Sequence, residues 1–124
     1  MAYSGDGKFI AAGEATTKQP EITVWTHDEE EGETVVYAVL QGHKLCVEAL
    51  CFSPNGKYLV SLGDEFDKGL FVWDIERKLR VTCNKLSKVA RYISFSQDGS
   101  YFLTAGTEHL KFWYFDDTGY PILA

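Results

Sequence analysis

His43, Ser61 and Asp67 are side chains whose types could together do nucleophilic chemistry, with serine as nucleophile, histidine as base and aspartate orienting the imidazole. Their setting argues against it. Ser61 lies within the apolar run Tyr58 to Leu62, and no glycine-flanked elbow surrounds it. Metal chemistry is no better placed. A zinc site needs four ligands at close spacing, whereas His27, His43 and His109 are dispersed and Cys46, Cys51 and Cys83 include no C-x-x-C pair. No phosphate-binding loop is present, and no catalytic residue, cofactor or metal is expected.

The elements that must position these residues lie between Leu40 and Glu76. Three apolar runs (Val47 to Phe52, Tyr58 to Leu62, Leu70 to Ile75) are separated by turn residues, among them Ser53-Pro54-Asn55-Gly56. Short runs with such punctuation predict an antiparallel meander, here one blade of a β-propeller. The pattern repeats on both sides. Ser4 and Gly7 precede Ser53 and Gly56 by 49 residues, and Trp25 precedes Trp73 by 48; Ser96 and Thr104 follow Ser53 and Ser61 by 43, and Trp113 follows Trp73 by 40. The expected organisation is all-β, about three four-stranded antiparallel blades in units of about 1–40, 41–86 and 87–124, the first and last incomplete and the ring not closed.

The Gly42-His43 and Trp73-Asp74 pairs resemble the signature of the WD40 repeat family. The resemblance implies a structural tetrad of His43, Ser61, Asp67 and Trp73. In it the indole donates to the hydroxyl, the hydroxyl to one imidazole nitrogen and the other ring N–H to the carboxylate. The outer units match less well. Ala12 and Gln19 replace the serine and aspartate of the first, and Leu86 and Thr107 stand in the histidine and aspartate positions of the third, which is therefore expected to rest mainly on apolar packing. The pattern also implies that VVYAVL, before Gly42-His43, is the outermost strand of the first blade.

Across nearly the whole chain, the runs GEATTKQPEITVW, LQGHKLCVEALCFSPNGKYLVSLGDEFDKGLFVWD and NKLSKVARYISFSQDGSYFLTAGTEHLKFWYFDD look like the amino-terminal propeller of the mitogen-activated protein kinase-binding protein family. Members are large scaffolds associated with kinase signalling and, in one branch, with spindle poles. The kinase-docking segments of such proteins lie beyond their propellers, so the resemblance assigns no kinase contact to this chain. By analogy with the WD40 pattern, rim-facing positions would be Cys46, Glu48, Phe66 and Arg91. Phe66 and Arg91 are residue types enriched at interfaces.

Composition narrows the function classes. The chain has 124 residues, 45% of them apolar and 15% aromatic, enough for a packed core. Its net charge of −6 and dispersed 12 basic residues disfavour nucleic acid as a partner. With no apolar run long enough to span a membrane and an odd number of cysteines, a reducing, cytoplasmic setting is expected, with spindle-pole or cytoskeletal association by family analogy. The acidic run Asp28, Glu29, Glu30, Glu31 and Glu33 reads as a solvated turn, or more sharply as a docking site for a basic peptide.

These features favour a non-catalytic protein-interaction module over a propeller-based enzyme, whose carboxylates or histidines should converge on the axis-facing ends of several strands. A purely structural fragment that completes a larger ring is the third reading. With three blades against the four to eight that close a propeller, two uncovered apolar faces are expected, formed in part by Phe9, Ile22, Val24, Phe102, Leu110 and Phe112, and self-association would follow.

Overall fold

In the computed structural model the described residues are 2–3, 9–13, 21–28, 32–41, 47–54, 56–63, 69–86, 88, 90–106, 108–115 and 121–123. They form three antiparallel four-stranded sheets, each a meander of consecutive strands. Blade 1 holds β1 (Ala2–Tyr3), β2 (Phe9–Gly13), β3 (Glu21–Asp28) and β4 (Glu33–Gln41). Blade 2 holds β5 (Val47–Phe52), β6 (Tyr58–Gly63), β7 (Gly69–Asp74) and β8 (Leu79–Lys85). Blade 3 holds β9 (Tyr92–Phe95), β10 (Tyr101–Gly106), β11 (His109–Phe115) and β12 (Pro121–Leu123). The VVYAVL run accordingly pairs with β3, Val24 lying opposite Ala38.

The turns explain why the blades share a pattern. Gly56 N–H donates to the Ser53 carbonyl at 2.9 Å and Gly99 N–H to the Ser96 carbonyl at 3.1 Å. The Ser53 and Ser96 hydroxyls accept from the Tyr58 and Tyr101 N–H groups at 3.0 and 3.3 Å. Gly56 and Gly99 have φ of 72° and 75°, a left-handed conformation that glycine adopts without a Cβ clash. A second repeated feature is a register shift in the outer pair of strands, between Val24 and Trp25 in blade 1 and between Val72 and Trp73 in blade 2. The shift bends the outer strand beside each tryptophan.

Because successive side chains of a strand point to opposite faces, blade 2 divides its apolar residues between its two neighbours. Ile22, Val24, Ala38 and Leu40 of blade 1 meet Leu59, Phe71, Trp73 and Ile75 of blade 2 in one cluster. Val60, Leu62, Leu70 and Val72, on the other face of blade 2, meet Phe102 and Trp113 of blade 3 in a second. Every residue of β7 is buried, which is why its sequence shows no alternation.

This division corrects part of the expected uncovered surface. Ile22, Val24 and Phe102 are at most 1% exposed because they face blade 2 from either side, and Phe9 packs against the first cluster. Leu110 and Phe112 are exposed as expected, at 64% and 40%, together with Tyr114 on the same strand face. At the opposite end Val36 and Val39 of β4 are exposed.

Candidate functional site

The conformation of β6 and β7 places Ser61 opposite Phe71 and two residues from Leu59, the partner of Trp73. The Trp73 indole thereby reaches across the strands, and its Nε1–H donates to Ser61 Oγ at 2.8 Å. The serine is fully buried and the tryptophan 2% exposed. A hydroxyl so enclosed has no route to a substrate, and its oxygen is already an acceptor; this is a structural contact. His43 and Asp67, the other two residues expected in the chain, lie outside the described residues.

Blade 3 contains a polar chain whose hydroxyl and indole, Thr104 and Trp113, stand at the positions expected from Ser61 and Trp73, but whose imidazole comes from an unexpected position. Trp113 Nε1–H donates to Thr104 Oγ1 at 3.1 Å, and the same hydroxyl lies 2.8 Å from His109 Nε2. Thr104 is fully buried, Trp113 4% and His109 7% exposed. The expectation that this blade rests mainly on apolar packing is therefore incomplete. Leu86, in the expected histidine position, is buried within the second apolar cluster, and the imidazole arrives instead from the first residue of β11. Thr107 lies outside the described residues. Removal from water, and secondarily the charge of Lys111, hold the His109 pKa below its ordinary value. The available signal was the spacing of Thr104, His109 and Trp113, five and then four residues apart. In blade 1, Ala12 stands at the position of Ser61 and so offers Trp25 no hydroxyl there.

Of the expected rim residues, Glu48 and Arg91 come together, with Arg91 Nη1 donating to Glu48 Oε1 at 2.9 Å. Cys46 and Phe66 lie outside the described residues. The Arg91 N–H also donates to the Ala105 carbonyl at 2.8 Å, which fixes the backbone from which the guanidinium extends. A second ion pair at this edge, Lys88 Nζ to Glu108 Oε2 at 2.8 Å, joins the segment before β9 to the turn before β11. Both pairs are partly or largely exposed.

The opposite edge of blade 2 carries a cleft of about 240 Å³ lined by Lys57, Tyr58, Asp74 and Arg77 together with the start of β8. Asp74 is committed there, accepting from the Arg77 N–H at 3.1 Å and lying 3.9 Å from Arg77 Nε. Nearby turns carry one strongly shifted carboxyl. Asp98 accepts from the Ser100 N–H, the Ser100 hydroxyl and the Ser96 hydroxyl, and these bonds lower its pKa to about 2. Cys51, half-buried on β5, has its thiol pKa pushed up by burial, so it is a poor nucleophile. Among the described residues, no group of three or more histidine, cysteine, aspartate or glutamate side chains is placed to hold a metal ion.

Three meanders stacked through shared apolar faces, with a tryptophan bonded to a hydroxyl in two of them, define WD40-repeat propeller blades. The chain is a WD40-repeat protein: residues 34–74 match the WD domain, G-beta repeat family. It is similar to mitogen-activated protein kinase-binding protein 1 of Mus musculus, 42% identical over 95% of this chain and 8% of that protein. It is also similar to WD repeat-containing protein 62 of Sus scrofa (41% identical, covering 94% of this chain and 7% of that one). Cilia- and flagella-associated protein 52 of Homo sapiens is 32% identical over 94% of this chain and 19% of its own length. The chain thus spans less than a fifth of each of these three relatives. Among solved structures, a crystal structure of a protein described as a 6-phosphogluconolactonase from Bacteroides fragilis superposes with a TM-score of 0.79 over 98% of this chain and 36% of that one. At 15% identity that likeness concerns the fold alone.

Proposed function

We propose that the chain is a non-catalytic protein-interaction module, one part of a propeller in a larger intracellular signalling scaffold or adaptor. The observation that carries this reading is the exposed edge at which Arg91, just before β9, and Glu48 of β5 form an ion pair between different blades. Stacked blades make that edge stiff, and the Lys88–Glu108 pair extends it, so the edge offers fixed charges of both signs to a partner surface. Phe66 and Cys46 complete the proposed rim. His43 and Asp67 are assigned to the buried chain of Ser61 and Trp73, with a role in stability. A cytoplasmic, cytoskeleton-associated setting is supported by the similarity to a cilia- and flagella-associated protein. Proteins are the proposed partners, with no role assigned to nucleic acid or membrane.

The exposed faces, with Leu110 and Phe112 at one end and Val36 and Val39 at the other, give the isolated chain a tendency to self-associate. Quantitative affinity capture with the chain and with its Arg91→Glu and Phe66→Ala variants tests the interaction reading. Loss of specific partners from both variants is expected, and retention of every partner at wild-type levels would refute the rim.

A further inference from the structure

His109 occupies a place that the proposed rim does not use. It follows Glu108, whose φ of 54° lies in the left-handed region, where a residue with a side chain is strained. The ion pair between Glu108 and Lys88 ties that turn to the segment joining blades 2 and 3. From this turn β11 begins with the imidazole directed inward, against Thr104.

The order of donation in the polar chain follows from what each group can do. An indole is a donor only, so Trp113 Nε1–H takes one lone pair of the Thr104 oxygen, and in the imidazole tautomer that carries its proton on Nδ1 the hydroxyl donates to His109 Nε2. That nitrogen accepts only while the ring is neutral and its proton sits on Nδ1. Protonation would set an N–H against the hydroxyl proton, forcing the hydroxyl of a fully buried threonine to turn away from the imidazole. Trp113, at the far end of the chain, packs in the same cluster as Val60, Leu62, Leu70 and Val72 of blade 2. A break in the chain therefore reaches the interface between the blades.

We propose that His109, Thr104 and Trp113 form a proton-sensitive latch on the interface between blades 2 and 3, closed while the imidazole is neutral and released when it is protonated.

The surroundings bias the latch toward its closed form. Burial lowers the pKa of His109, and Lys111 on the same strand lowers it further. The other charged groups described on the flanking elements are the Lys88–Glu108 pair before β11 and the Arg91–Glu48 pair across the blade boundary, each carrying both signs. Cys51 on β5 adds a thiol that burial keeps protonated. Since the folded pKa is below the unfolded one, the stabilisation is fully present above the ordinary histidine value of about 6.5 and is lost as pH falls through the folded value.

Unfolding midpoints of the full chain, measured between about pH 7.5 and 4.5 where histidine titrates, provide the test, with the indole N–H resonance of Trp113 as a local readout. The midpoint should fall across this window and the indole resonance should move with it. His109→Gln should remove the indole shift and reduce the midpoint change. Lys111→Gln should move the inflection to higher pH. A His109→Gln profile parallel to that of the wild type, or an indole resonance that does not respond, would overturn the latch. If His109→Gln fails to fold, Lys111→Gln decides alone, and an inflection left in place counts against the proposal.

Discussion

Arg91 Nη1 and Glu48 Oε1 lie 2.9 Å apart and join β5 to the residue preceding β9, so an ion pair spans the boundary between blades 2 and 3. The side chains are 48% and 32% exposed, and water and salt screen such a pair. A double-mutant cycle with Arg91→Ala and Glu48→Ala should give a coupling of about 0.2–1 kcal/mol that shrinks as salt is raised. A coupling of several kcal/mol, insensitive to salt, would mean that the edge is closed to solvent and unsuited to a rim.

The Trp73–Ser61 bond is enclosed, and its loss should be felt more strongly. Ser61→Ala leaves the indole N–H without its acceptor among fully buried neighbours, at a cost of about 1–3 kcal/mol. Asp67→Ala and His43→Ala should cost similar amounts if those residues continue the chain, and an unchanged thermal midpoint for both would reject the proposed tetrad.

The repeat order of this chain is legible in its sequence because the determinants are local. A left-handed glycine closes the turn after Ser53 and again after Ser96, and a tryptophan two residues beyond the partner of a hydroxyl residue recurs on the next strand, as with Ser61 and Trp73 and with Thr104 and Trp113. The faces of the strands are harder to read. Leu70, Phe71, Val72 and Trp73 are all apolar, so their types do not disclose that Leu70 and Val72 face blade 3 while Phe71 and Trp73 face blade 1. His109 is hidden for another reason. Four residues before Trp113, it corresponds to Gly69 before Trp73 and Glu21 before Trp25, so comparison among the repeats gives no hint of an imidazole there.

Acid should weaken the turn between β9 and β10. Three hydrogen bonds to the Asp98 carboxylate hold its pKa at about 2, below the ordinary value of 3.8. Its stabilisation is thus complete above the ordinary value and disappears as pH falls through the folded one. Asp98→Asn should flatten this acid limb of the stability profile relative to the wild type. Urea titrations at a series of acidic pH values would show it, and parallel profiles for the two proteins would exclude a role for this carboxylate.

The tight approach of β2 to β5 gives a last prediction, at the interface between blades 1 and 2. A Cβ placed on Gly13 would lie 2.6 Å from Val47 Cγ1 and 2.7 Å from Val47 Cβ, closer than carbon atoms can approach without displacement. Val47 cannot withdraw freely, because it packs against the cluster that contains Ile22, Leu40 and Trp73. Gly13→Ala should therefore destabilise the chain by about 1–3 kcal/mol, the usual cost of overpacking a close contact. The clash is specific to one partner, so trimming that partner should relieve it. In a Gly13→Ala, Val47→Ala double variant the added methyl occupies space vacated by the valine, and the loss should be smaller than the sum of the two single losses. Strictly additive losses, measured by denaturant unfolding of all four proteins, would show that the blades do not meet this closely at Val47.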